Sequence, residues 1–200
     1  GTDAFQEVDV VGVTQPISKW NYQIRRAEDI PWAVARAFYI AKSGRPGPVV
    51  LDFAKNAQTA LIEYQPQTVD FIRSYNPVPA AAPGSIERAA DLINQSVKPL
   101  MLVGQGVELA GAREELLALA EKAQIPFGQT MLGISAAPTS HPLNMGMLGM
   151  HGNLAPNVMT NQCDLLIAVG MRFDDRVTGD LHTYAKQAKV IHFEIDPSEV

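Results

Sequence analysis

The chain has 200 residues, 46% of them hydrophobic and 18% charged, with a formal net charge of -5, the balance of an ordinary globular protein long enough for one full domain and part of another. Its lysines and arginines are scattered, which argues against nucleic acid as a partner. The amino terminus lacks a basic-then-apolar signal pattern, and no apolar run approaches the ~18 residues of a membrane helix.

The opening stretch GTDAFQEVDVVG has no methionine and reads as a loop leading into structure, so a fragment of a longer protein is expected. Residues 27–43 carry apolar side chains at helical spacing (Ile30, Val34, Ala37, Phe38, Ala41), with Glu28 and Asp29 ahead of Pro31. Glycine and proline in SGRPGP end that helix, and VVLDF, residues 49–53, follows as a short buried strand. Residues 58–84 lose the periodicity and read as an ordered, extended linker, because Phe71, Ile72 and Tyr75 are poor choices for a free tether.

A second domain is expected from Ser85, with Ser85 as N-cap and Ile86, Ala89, Ala90 and Ile93 on one helical face. Strands at 99–103, 125–130, 165–169 and 190–195 then alternate with helices at 112–123 and 155–161. That alternation predicts an α/β fold with a parallel sheet and right-handed crossovers.

Three strand ends draw attention. Gly104, Gln105 and Gly106 follow PLMLV and precede a helix, where backbone N–H groups can meet a phosphate; a tight turn without ligand is the other reading. The full GxGxxG pattern is absent, since position 109 is Leu, and no acid follows ~20 positions on, so a nicotinamide-type site is disfavoured. The run LLIAV discharges into Gly170, Met171, Arg172, Phe173, Asp174, Asp175 and Arg176, either a ligand-binding strand end or a solvated turn. Glu194 and Asp196 close the last strand on the same edge, placed to accept from ribose hydroxyls or to cap a helix.

Within MLGMHG, His151 has no histidine at ligand spacing and is placed to donate to a cofactor or a backbone carbonyl. Met145, Met147 and Met150 fit either a site or soft core filling. Lys19, in SKW, is expected to be exposed. The only cysteine, Cys163, permits neither an intrachain disulfide nor a cysteine metal cluster, which suits a cytoplasmic setting. No metal site and no self-contained catalytic centre is read from these residues.

Taken in order, GTDAFQE, SKWNY, SGRPGPV, MLGMHG and VGMRFDDRVTG resemble the acetolactate synthase (acetohydroxyacid synthase) family of thiamine-diphosphate enzymes, over essentially all 200 residues. The resemblance implies that residues 1–57 end an α/β domain binding the pyrimidine of thiamine diphosphate. Residues 58–84 would be the linker, and 85–200 a Rossmann-like, C-terminally incomplete central domain binding FAD.

It further implies decarboxylative condensation of two 2-oxo acids, pyruvate with pyruvate or 2-oxobutanoate, in branched-chain amino-acid synthesis. The activating glutamate would lie upstream of Gly1 and the Mg2+-binding motif downstream of Val200, so the chain alone is expected to be inactive. A homodimer or dimer of dimers, with a regulatory small subunit, goes with the family. By matching position, FAD would be lined by Gly104, Gln105, Gly106, Thr130, Met131, Leu148, Gly149, Met150 and His151. Gly170, Met171, Arg172, Phe173, Asp174, Glu194 and Ile195 would complete that lining. Arg176 would face the incoming 2-oxo acid, with Asp175 orienting it and Met150 beside it, while Phe5, Gln6 and Lys19 would border the channel.

Two departures stand out: Gln15 replaces an arginine that contacts FAD in many members, and Ala54-Lys55-Asn56 replaces a proline-lysine-aspartate. A pyruvate oxidase or glyoxylate carboligase, or a nucleotide-binding module without chemistry, are the competing readings. The arginine of RFDDR favours a 2-oxo acid acceptor over an oxidase.

Overall fold

The computed structural model describes residues 5–200. Residues 1–4, the start of the GTDAFQE motif, lie outside the described residues. The chain divides into two compact units, Gly1–Pro79 and Ala80–Val200.

In the first unit, α1 (Val10–Thr14), β1 (Trp20–Ile24), α2 (Ile30–Lys42), β2 (Val49–Phe53) and α3 (Lys55–Thr59) follow in order. Strands β1 and β2 pair in parallel from Trp20↔Val49 to Ile24↔Phe53, with α2 as the crossover between them. The expected helix over 27–43 begins later, because its first turn, Ala27–Asp29, is a separate 3-10 turn ahead of Pro31. Strand β1 was not foreseen: WNYQI alternates aromatic and polar residues and buries only Ile24 fully.

Lys19 corrects the sequence expectation most sharply. Its ammonium is part-buried and donates to the carbonyls of Ile40 and Ser43, at 2.5 and 2.6 Å, and to the Tyr75 hydroxyl at 3.1 Å. It therefore neutralises the carbonyl-rich end of α2 rather than standing free in solvent. Burial alone would raise the Tyr75 phenol, but hydrogen bonds from Ser43 and Lys19 and the lysine charge hold it below its ordinary value. Beyond α3 the chain is irregular to Gly84; Ile72 is buried, whereas Phe71 is exposed.

The second unit holds α4 (Ser85–Gln95), β3 (Pro99–Val103), α5 (Gly106–Leu109), α6 (Arg113–Ala123), β4 (Phe127–Gln129), a 3-10 segment (Met131–Ala136) and β5 (Asn144–Met147). It continues with α7 (Leu154–Thr160), β6 (Leu165–Val169), α8 (Asp175–Thr178), β7 (Lys189–Phe193) and a closing 3-10 turn (Pro197–Glu199). The five strands are all parallel, in the order β5-β4-β3-β6-β7.

Strands β3 and β6 are apolar throughout because both faces are covered. Met101, Val103, Leu165 and Ile167 pack on one side with Leu116 and Ala120 of α6 and with Ala89, Leu92 and Ile93 of α4. Leu100, Leu102, Leu166 and Ala168 face the other side, with Cys163, Ala185, Met159 and Tyr184.

Several expected details change. Gly84, at φ 71°, is the N-cap of α4, and Ser85 is its first helical residue. Ile86 and Ala90 point to solvent, the packed face being Ala89, Leu92 and Ile93. Strand β4 is only three residues long, and β7 stops at Phe193, so Glu194 lies just past its end.

Candidate functional site

From β3 the chain builds outward through β4 to β5, then returns to lay β6 and β7 on the other side of β3. Neighbouring strands β3 and β6 therefore lead to connections on opposite sides, and in parallel α/β sheets the crevice at the carboxyl ends of such a pair is where ligands bind. Residues 104–106 and 170–174 flank it.

The two loops touch chiefly through backbone. The Gly106 N–H donates to the Gly170 carbonyl at 2.9 Å, and a Cβ on Gly104 would lie 2.2 Å from that carbonyl oxygen. Gly133, in the segment after β4, sits as close to the Val103 carbonyl. Close backbone approach therefore accounts for glycine at these positions within the fold.

What remains open lies on the β6 side. The N–H groups of Met171, Arg172, Phe173 and Asp174 have no acceptor among the described residues, although Gly170 donates to Phe193 and Arg176 to Asp174. Four successive uncommitted donors in a glycine-started loop suit an anionic or multiply accepting ligand such as a dinucleotide. His192 on β7 braces this loop: its Nε2 lies 2.8 Å from the Met171 carbonyl oxygen, and its ring packs against Phe173 at 5.3 Å between centroids.

The charge cluster divides its labour. Arg172 lies 3.6 Å from Glu199 and 3.9 Å from Asp174. Asp174 caps α8, accepting from the Arg176 and Val177 N–H groups at 3.0 and 3.3 Å. The Arg176 guanidinium is exposed and lies 3.7 Å from the Met150 sulfur. Among the described residues no ion pair joins it to Asp175, so the orienting role expected of Asp175 is not seen; Met150 and the α8 backbone hold the arginine instead.

Glu194 accepts from the Ile195 and Asp196 N–H groups at 2.9 and 3.1 Å, while its other oxygen lies 3.8 Å from His192. Asp196, not Glu194, caps the closing 3-10 turn. The Thr130 hydroxyl accepts from the Gly133 N–H and so caps the 3-10 segment, whose first residue, Met131, is two-thirds exposed.

The loop 148–151 joins the same edge: the Leu148 N–H donates to the Gln129 carbonyl and the Met150 N–H to the Arg176 carbonyl, at 2.9 and 2.8 Å. His151 is exposed and makes no hydrogen bond among the described residues. Phe5, 94% exposed, Gln6, at φ 67°, and Lys19 belong to the first unit. No three His, Cys, Asp or Glu side chains gather into a metal site among the described residues. Burial pushes the Cys163 thiol up to about 11, which removes it as a nucleophile.

Sequence reasoning missed Gln129. Its amide is buried at the end of β4, donating to the carbonyls of Gly133, Ile134 and Ala137 at 3.0, 3.1 and 3.3 Å and accepting from Asn144 at 2.9 Å. A polar residue in an otherwise apolar strand was the available signal. Replacing it with leucine strands three carbonyls, and the expected loss is about 3 kcal/mol of stability, read from the urea midpoint of unfolding.

The sequence profile of the thiamine pyrophosphate enzyme central domain matches residues 86–200. The chain belongs to the thiamine pyrophosphate enzyme family. The matched region is the five-stranded unit that carries the crevice. This member is 47% identical over 201 residues to the acetolactate synthase large subunit of Corynebacterium glutamicum, covering all of this chain and 32% of that protein. It is 44% identical over 200 residues to the acetolactate synthase isozyme 1 large subunit of Escherichia coli, covering all of this chain and 35% of that one. A solved structure of a proposed thiamin diphosphate-dependent enzyme from Mycobacterium smegmatis superposes with a TM-score of 0.74 at 25% identity, over 96% of this chain and 36% of that one. The chain spans about a third of the length of the curated relatives it matches. No helix among the described residues is long and apolar enough to cross a membrane.

Proposed function

We propose that this chain is part of an acetolactate synthase catalytic subunit, a cytoplasmic enzyme joining two 2-oxo acids in branched-chain amino-acid synthesis. The observation that carries the reading is identity of 44–47% along the entire chain to large subunits of that enzyme. The crevice supports it, because its uncommitted donors lie on the loop that leads directly into α8 and its exposed Arg176.

In this reading the residues 104–106, Thr130, Met131, 148–151, 170–174, Glu194 and Ile195 hold FAD. The N–H groups of 171–174 supply donors, Met171 and Phe173 apolar contact, and Glu194 an acceptor. Arg176 binds the carboxylate of the incoming 2-oxo acid through both guanidinium nitrogens, and Phe5 and Gln6 border the channel from the first domain of a facing subunit, across the proposed dimer interface. Lys19 belongs to the same border across that interface, with its ammonium fastening α2 within its own unit. FAD would stabilise the crevice loops by binding the folded state. Thiamine diphosphate with Mg2+ supplies the decarboxylation and carbon–carbon bond formation when bound in the full-length enzyme. A homodimer or dimer of dimers and a regulatory small subunit complete the assembly.

The test is to express the full-length subunit and assay acetolactate from pyruvate with thiamine diphosphate, Mg2+ and FAD. Acetolactate formation that needs thiamine diphosphate is the expected result, and a folded, FAD-loaded protein that forms none would overturn the assignment.

A further inference from the structure

Helix α7 carries two asparagines one turn apart, and both grip the loop in front of it. At Asn153, the N-cap, the side-chain oxygen accepts from the Met147 N–H at 2.9 Å and the backbone N–H donates to the Met147 carbonyl at 2.6 Å. At Asn157 the side-chain oxygen accepts from the Gly149 N–H, and the amide nitrogen donates to the Gly149 carbonyl, both at 2.9 Å. A primary amide offers an acceptor and a donor in a plane, so it holds the N–H and C=O of one residue as a neighbouring strand would.

Gly149 is where such a hold matters. It sits at φ 97°, and a Cβ there would lie 2.8 Å from the Arg176 carbonyl oxygen. The next residue, Met150, donates its N–H to that same oxygen at 2.8 Å and places its sulfur 3.7 Å from the Arg176 guanidinium. Helix α8 is a single turn of four residues and cannot stabilise itself. Its arginine is fixed from one side by Asp174, which takes the Arg176 N–H, and from the other by Met150, which takes the carbonyl.

We propose that Asn157 is a positioning residue for Arg176, acting through the Gly149 peptide and Met150. The proposal rests on Arg176 being the group that binds the 2-oxo acid carboxylate. Without the Asn157 amide the Gly149 N–H loses its acceptor, while its carbonyl keeps only Gly152. Met150 is then free to shift off Arg176, and the guanidinium loses its aim without losing its charge.

The experiment is a double-mutant cycle in the full-length enzyme with Asn157→Ala and Arg176→Ala, measuring KM and kcat for the second 2-oxo acid and FAD affinity by flavin fluorescence. Asn157→Ala is expected to raise KM about tenfold with kcat changed less than about twofold. That penalty should vanish in the Arg176→Ala background, since coupled residues are non-additive. An unchanged KM, or an equal penalty with and without Arg176, would overturn the positioning role while leaving the reading of Arg176 intact. An Arg176→Ala enzyme with unaltered KM sinks both. Asn157→Ser serves the same cycle if the alanine variant does not accumulate as folded protein, with the same outcomes deciding.

Discussion

Gly104→Ala is expected to destabilise the second unit by about 3 kcal/mol and, on the proposed function, to release FAD with it. The new methyl would lie 2.2 Å from the Gly170 carbonyl oxygen and 2.5 Å from the Met171 Cβ. Neither neighbour can yield cheaply. Gly170 is held by its own N–H to Phe193 and by its carbonyl to Gly106, and Met171 is buried against Leu100, Leu102 and Ala168. The methyl therefore pushes β3 and β6 apart at their carboxyl ends, where the crevice begins. Urea unfolding of the full-length variant, followed by far-UV circular dichroism, measures the stability loss, and flavin fluorescence measures the loss of FAD. Near-wild-type stability would mean that the two loops have more freedom than their hydrogen bonds allow.

The sheet that frames this contact was legible because β3 and β6 are unbroken apolar runs, and a strand buried on both faces announces itself by composition alone. Elements with less burial were not. Strand β1 presents alternating aromatic and polar side chains to a sheet of two strands, and β5, NMGM, has four residues and no β-branched side chain. The Lys19 environment was beyond sequence reasoning, since its partners lie 21, 24 and 56 positions away. Its apparent exposure came only from judging a lysine by type.

Motifs pointed to the loops at this sheet edge but not to their internal work. Asp174 reads as a charge in a cluster and acts as a helix cap. The residues that shape the loops, Gln129, Asn157 and His192, belong to no motif that resembles a site. Most of their partners are backbone N–H and carbonyl groups, which carry no sequence signature. Asn153 and Asn157 show helical spacing that can be read in advance, yet the loop they grip precedes their helix, and only the fold discloses it.

On the proposed function, Arg176→Ala in the full-length enzyme should raise KM for the second 2-oxo acid by roughly 100-fold, because two charge-assisted hydrogen bonds to a carboxylate are worth of order 3 kcal/mol together. FAD affinity should change by less than about threefold, since the loop 170–174 keeps its own supports: Asp174 contacts the Arg176 and Val177 backbone N–H groups, and Met171 is held by His192. The Arg176 side chain contributes to neither. Arg176→Lys should recover only part of the loss, because an ammonium restores the charge but not the paired donors. Pyruvate saturation curves and flavin fluorescence titrations on the three proteins decide the matter. Equal losses of substrate and FAD affinity would place the guanidinium on the flavin, and full recovery by lysine would reduce its role to that of a point charge.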